Sequence, residues 1–410
     1  MKAAIKVHSP YYYAILLALA YFFLPGIGSV FGAYGHICIM VFCIATCIDV
    51  NNIKIHSYTL CFIYFIIIEM VFVMLYHDTF AFSSAQYNEI YYIKDIIIRY
   101  LDIFAIAIAL RKITTISNKE KRHMFIASLG MLLFTMCYSI IKIQVDPEIV
   151  RNMASQRASE DSTMGIANYN TVYASSLTVP VAFVFIKKGG KKCLAAIIYL
   201  AVLFVFLISC AFTLSLIVWV MMVILCCLFY YSKMKIQIKI LLGGVFLYLL
   251  FLLYINIEEV LLWLAAQVSS SSLQVRLLEM VNFLSTGAIT GDMEGRFDVY
   301  AKSLETFRQY PLTGILLSFE SNLGVMTGDH SRILDMLARY GAMSTLYFIG
   351  AAKYMRSIRR EMLNQEERQL LTICIFGGFV IEILNPMYEG FMLVYSVALI
   401  SLSNSVNIKC

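Results

Sequence analysis

Long apolar runs interrupted by short polar stretches dominate the chain, a pattern that predicts helices able to cross a membrane. The runs fall at roughly 11–27, 32–48, 58–76, 96–110, 124–143, 171–186, 193–209, 214–231, 238–257, 334–354, 369–385 and 390–405. A helix needs about 20 residues to cross about 30 Å of hydrocarbon, so the shorter runs are expected to tilt or to extend past these limits. Residues 193–231 exceed one helix and are expected to divide near Ser209-Cys210-Ala211. The expected fold is an all-α polytopic membrane protein with about twelve transmembrane helices. Nine lie in 1–257, a polar loop occupies 258–331, and three more lie in 332–410.

Composition removes the soluble alternative. Of 410 residues, 60% are hydrophobic and only 14% charged, and mean hydropathy is +0.78. No cleavable leader is expected, because the first apolar run ends in Pro25-Gly26 without a small-x-small site. Most of the eleven cysteines sit inside apolar runs, where they read as small core hydrophobes, and no pair suggests a disulfide or zinc framework.

Charge sets the expected orientation. With the N-terminus in the cytoplasm, most of the 32 lysines and arginines fall on the inner side, including the cluster Arg111–Arg122, the lysines of 187–192 and the basic residues of 353–368. Both termini are then cytoplasmic, and 77–95, 144–170 and 258–331 lie outside. No phosphate-loop or dinucleotide glycine pattern argues for cytoplasmic nucleotide chemistry. There is no internal repeat and no sign of nucleic-acid binding.

The 258–331 loop has readable structure. Residues 258–285 form two apolar-rich pieces joined by Ser269–Ser272, expected to lie as helices at the membrane interface. From Arg296, a helix is predicted with Phe297, Tyr300, Ala301, Leu304 and Phe307 on one face and Asp298, Lys302, Glu305 and Arg308 on the other. Pro311 and Gly314 end it. Asp329 is the expected N-cap of the helix that becomes span ten.

Several ionisable residues are candidates for chemistry. Arg332, Asp335 and Arg339 lie within about 60° of one another around a helix. They read either as an Asp335–Arg339 ion pair or as a cationic stripe lining a wet cavity suited to phosphate. His330 stands at the loop–membrane junction, where an imidazole can act as a base near neutral pH. Arg99 reads as a second phosphate ligand or as the partner of Asp102 or Asp95. Lys142, Arg151 and Arg157 lie nearby on the same side. Asn168 and Asn170 open span six as helix caps or as amides for sugar hydroxyls. Glu69 is buried without an assigned role. No metal-ligand spacing is present; Asp292-Met293-Glu294 reads as a solvated turn.

The late loop resembles that of the bacterial O-antigen polymerase and O-antigen ligase families (Wzy/WaaL type). The resemblance rests on Arg296, Tyr300, Pro311, Gly314, His330-Ser331, Leu334 and Tyr340-Gly341, together with the asparagines before span six and Pro180 beyond them. The topology match covers the chain and the motif match about 50 residues. Three departures stand out: the turn SCAFTLS lacks the family's arginine, Ser331 replaces the ligases' asparagine, and Gly314 lacks a second glycine. The last two lean towards a polymerase.

The resemblance implies a GT-C-like membrane glycosyltransferase of the bacterial inner membrane, inverting, metal-independent and without cofactor. Its donor and acceptor would be undecaprenyl-pyrophosphate-linked oligosaccharides, with membrane lipids and a chain-length regulator as further partners. It implies Arg296, Arg332, Arg339 and Arg99 as pyrophosphate ligands, His330 as the base, and Asn168 and Asn170 as sugar contacts. A ligase acting on lipid A core and a lipid-linked oligosaccharide flippase are the alternatives.

Overall fold

A computed structural model describes residues 9–48, 57–76, 89–150, 165–187, 189–231, 244, 255–267, 271–287, 292–315, 330–361 and 364–403. Most of predicted span nine, and His77, Arg151, Arg157 and Asp329, lie outside them. The described chain is helical, with no strand among these residues. In order, α1 is Pro10–Phe23, α2 Pro25–Cys47, α3 Ser57–Tyr76, α4 Glu89–Thr115 and α5 Asn118–Val145. Then follow α6 Tyr169–Ser176, α7 Val179–Ile186, α8 Gly190–Ser209, and α9 Thr213–Leu225 with a π turn at Cys226–Tyr231. The loop region holds α10 Ile257–Gln267, α11 Ser271–Thr286 and α12 Asp292–Gln309. The last group is α13 Arg332–Tyr340, α14 Ser344–Glu361, α15 Gln365–Leu384, α16 Glu389–Met392 and, after a π turn at Leu393–Ala398, α17 Leu399–Ser403.

Among the described residues, four helical stretches are long and apolar enough to cross a membrane: Pro25–Cys47, Asn118–Val145, Tyr169–Ile186 and Gly190–Ser209. Shorter apolar helices at Pro10–Phe23, Ser57–Val71, Thr213–Phe229 and Glu389–Ser403 accompany them. The outer faces of α5 and α8 carry Phe134 (61% exposed), Ile141 and Ile197. Apolar side chains facing both inward and outward are what a bundle immersed in lipid requires, and a water-soluble bundle would not tolerate them.

Breaks in the helices are repaired by neighbours, as hydrocarbon demands. Pro25 lacks an N–H and separates α1 from α2. The carbonyls stranded above it are taken by side chains: Tyr395 Oη donates to Phe22 O (2.9 Å) and Thr135 Oγ1 to Phe23 O (2.7 Å). The predicted division near Ser209 is present; α8 ends there, and Ala211 takes a left-handed φ of 58° before α9.

Span ten differs from the expected single helix. It breaks at Gly341 (φ 52°), so that α13 is a short piece and α14 a separate helix. The turn after Pro311 is the cause. Ile315 N–H donates to Ala338 O (3.0 Å) and Ala342 N–H to Pro311 O (2.8 Å), which ties 311–315 to the end of α13.

The packed face of α12 is neither of the two that the periodicity marks out. Phe297 and Leu304 are more than half exposed, while Ser303 and Thr306 are buried. The hydroxyl face packs on α13 because Ser303 satisfies Asp335 there. Phe297 and Leu304 of the apolar face and Asp298, Lys302, Glu305 and Arg308 of the charged face are left exposed, as is Leu312. In the α10–α11 hairpin, Leu261, Ala265 and Leu277 form a small core of their own, and Trp263 and Val275 point away from it.

One group of basic residues meets at one end of the bundle. Arg111 reaches Tyr58 (3.4 Å), Lys112 stacks over Tyr11, and Lys187 pairs with Glu366 (2.6 Å). Capping boxes at Ser117–Glu120 and Asn364–Glu367 start α5 and α15 at that end. Helices α12 and α13 sit at the opposite end.

Candidate functional site

The start of α13 organises the opposite end. Its N-cap is Ser331, whose Oγ accepts from Leu334 N–H (3.2 Å), and the expected Asp329 cap is thereby corrected. Asp335 does not turn to Arg339; its Oδ1 accepts from Ser303 Oγ (2.6 Å) and its Oδ2 from Ser331 N–H (3.2 Å). A short carboxylate one turn into a helix is well placed to take such free N–H groups, and the helix dipole favours it. His330 lies just before this cap, outside the helix, and is exposed.

Arg332, Asp335 and Arg339 are all buried and share the inner face, as the periodicity predicts. Arg332 does not line an open cationic stripe. Its Nε (3.0 Å) and Nη2 (2.6 Å) both donate to Glu389 Oε1, and Tyr347 Oη donates to the same oxygen. The guanidinium also stands 5.7 Å from the Tyr347 ring centroid.

Arg99 faces Glu69 at 4.0 Å rather than Asp102, and the Asp95 side chain lies outside the described residues. Glu69 in turn accepts from Tyr340 Oη. Asp102 is held by His36 Nε2 at 2.5 Å, with the Tyr21 ring against the imidazole. Glu382 stands within electrostatic reach of Glu389, Arg332 and Arg99. Five ionisable groups from α3, α4, α13, α15 and α16 thus meet in one buried cluster.

The two asparagines at the start of α6 make hydrogen bonds within the fold. Asn168 Oδ1 caps the helix through Thr171 N–H and Thr171 Oγ1 (both 2.8 Å). Asn170 Oδ1 accepts from Tyr388 N–H (3.1 Å), and Tyr169 Oη donates to Asn385 Oδ1 (2.6 Å). Together they clamp the elbow 385–388 that leads into Glu389. Arg296 lies beside Tyr169 and Tyr300. Burial raises the Tyr300 pKa, with Arg296 partly offsetting it, so the phenol stays protonated and donates to Leu384 O (2.7 Å).

Next to the cluster is a cavity of about 480 Å³ between α3, α4, α14, α15 and α16. Its walls are apolar, with Phe62, Ile103, Ala351, Met355 and Phe379 among them, and Tyr347, Glu382 and Glu389 stand at its polar end. From Tyr347 to Met355 it follows α14 for about 12 Å.

The structure thus brings Arg99 and Arg332 together, places Arg296 beside the elbow clamp, and leaves His330 exposed just before α13. Glu382, Glu389 and the His36–Asp102 pair escaped the sequence reading. Their signal was present, since each is an ionisable residue within or at the edge of an apolar run. Among the described residues, no three His, Cys, Asp or Glu side chains converge to hold a metal ion. No model of a known protein family matches the chain, and no curated protein matches it.

Proposed function

We propose that the protein is a membrane glycosyltransferase that extends a polysaccharide by moving a glycan from a polyprenyl diphosphate to the hydroxyl of another lipid-linked repeat unit. The observation that carries this reading is the apolar cavity whose polar end is formed by Tyr347, Glu382 and Glu389, the last of them held by Arg332. A long apolar tail with a charged head needs such a pairing of surfaces. The resemblance to O-antigen polymerases supports it, since Pro311 and Gly314 lie against Tyr340-Gly341, and these residues carry part of that resemblance. The basic end of the bundle supports an orientation with the site on the outer side of the bacterial cytoplasmic membrane.

In this reaction the acceptor hydroxyl attacks the anomeric carbon, the bond from that carbon to the diphosphate oxygen breaks, and the lipid diphosphate departs with the bonding electrons. The acceptor's proton passes to His330. Arg296, Arg332, Arg339 and Arg99 supply positive charge near the leaving group. Attack opposite the leaving group inverts the anomeric centre.

Incubating the purified protein with lipid-linked repeat units tests the reading. A ladder of products is expected. Transfer only to lipid A core would make it a ligase, and transbilayer movement without product a flippase. His330→Ala is expected to reduce chain extension by about 10²–10⁴-fold. Because His330 is exposed, the variant should unfold within about 0.5 kcal/mol of the native protein. Full-length polymer from this variant would remove His330 from the chemistry.

A further inference from the structure

Glu389 occupies Arg332 in a way that leaves the contact exchangeable. A guanidinium and a carboxylate are strongest as a two-oxygen fork. Here both guanidinium nitrogens converge on the single Oε1 of Glu389, and Oε2 is buried without a hydrogen-bond partner. Glu382 Oε1, on the same cavity end, is likewise buried and unpartnered. Glu389 also stands on the four-residue α16, directly after the non-helical elbow 385–388.

The charges are unbalanced. Arg99 and Arg332 stand among Glu69, Glu382 and Glu389, so full ionisation leaves the cluster one positive charge short. The elements packed against α16 add Tyr100 and Asp102 from α4, Tyr169 and Tyr173 from α6, and Tyr395 from the following π turn. Tyr347 bonds Glu389 from α14, and His36 from α2 serves Asp102. None of these is a cation; the second positive charge within electrostatic reach of Glu389 is Arg99 of α4, which Glu69 and Glu382 share.

We propose that Glu389 is an internal stand-in for the substrate's diphosphate: the diphosphate displaces it from Arg332, and the Glu382–Glu389 pair then takes up a proton. This rests on the reading of the site as one for a lipid diphosphate. Once Arg332 turns to the diphosphate, two carboxylates share one apolar cavity end with less positive charge to hold them. Like charges that close cannot both remain ionised at low cost. Binding therefore consumes a proton, and this contribution weakens binding as pH rises. Ionisation of the phosphate itself acts in the opposite direction, so the two are separable by sign.

The test is calorimetric titration of the full-length protein in nanodiscs with farnesyl diphosphate, and with farnesol as the headless control, in two buffers of different ionisation enthalpy. The native protein is expected to take up about one proton per diphosphate bound. Glu389→Gln is expected to bind about tenfold tighter and without that uptake. Equal affinity and equal proton uptake in the two proteins would overturn the displacement while leaving the site reading intact. Binding by neither protein, or equal binding of farnesol, would overturn both. Should Glu389→Gln not fold, Glu382→Gln provides the second arm, because Glu382 Oε1 has no hydrogen bond to lose. Its proton uptake is expected to fall well below the native value, and unchanged uptake would overturn the proposal.

Discussion

Replacing Arg332 with alanine is expected to destabilise the protein by about 3–5 kcal/mol and to abolish polymer formation. The guanidinium is 8% exposed and its partner carboxylate 13%, so the variant leaves Glu389 enclosed with no counter-ion at 2.6 Å. Tyr347 retains its hydrogen bond to Glu389, but a phenol does not neutralise a carboxylate. Removing one member of a buried pair costs more than removing both. The double variant Arg332→Ala/Glu389→Ala is therefore expected to recover much of the lost stability without recovering activity. Thermal unfolding in nanodiscs separates the cases. A single variant that melts with the native protein would mean that Glu389 does not depend on Arg332.

The second large effect is expected at Gly314. This residue has φ 61°, and a Cβ there would lie 2.3 Å from Arg339 C and 2.4 Å from Tyr340 N. These are backbone atoms and cannot rotate aside. Gly341 is the reciprocal case, with φ 52° and a Cβ position 2.6 Å from Pro311 O. Left-handed strain and overpacking add, so Gly314→Ala is expected to cost about 3–4 kcal/mol. The expected readout is loss of folded protein from the membrane fraction. Gly130→Ala is the control: it meets nothing within 4 Å and should be neutral or slightly stabilising. Equal yields of the two variants would show that the 311–315 turn does not hold α13.

How much of this was legible in the sequence differs by element. The break near Ser209, the Asn168 cap and the shared inner face of Arg332, Asp335 and Arg339 all follow from local rules about turns, caps and periodicity. Each is decided within a few residues of chain, and each is present. The packed face of α12 was not legible, because periodicity marks an apolar face and a charged face while the buried Ser303 and Thr306 belong to neither. Phe297 and Leu304 stay outside, and the packed side is the one that carries the Ser303–Asp335 hydrogen bond. The break of span ten at Gly341 was missed for a related reason. The run 334–354 is continuous in hydropathy, and only the docking of Pro311–Ile315 shows where it must turn.

Partner choice was the least legible. Arg99 and Asp102 are three residues apart on one helix, which made them natural partners, yet each looks to another helix. Arg99 meets Glu69, and Asp102 meets His36. The sequence alone determined that the chain is a set of apolar helices and that its ionisable residues inside apolar runs would need partners. Only the tertiary structure decided who those partners are: Glu389 for Arg332, 57 residues away, and Tyr340 for Glu69, 271 residues away. The physical reason is that burial in hydrocarbon makes an unpaired charge intolerable without specifying which opposite charge answers it. That choice belongs to helix packing, which brings together residues from α3, α4, α13, α15 and α16 that no local pattern connects.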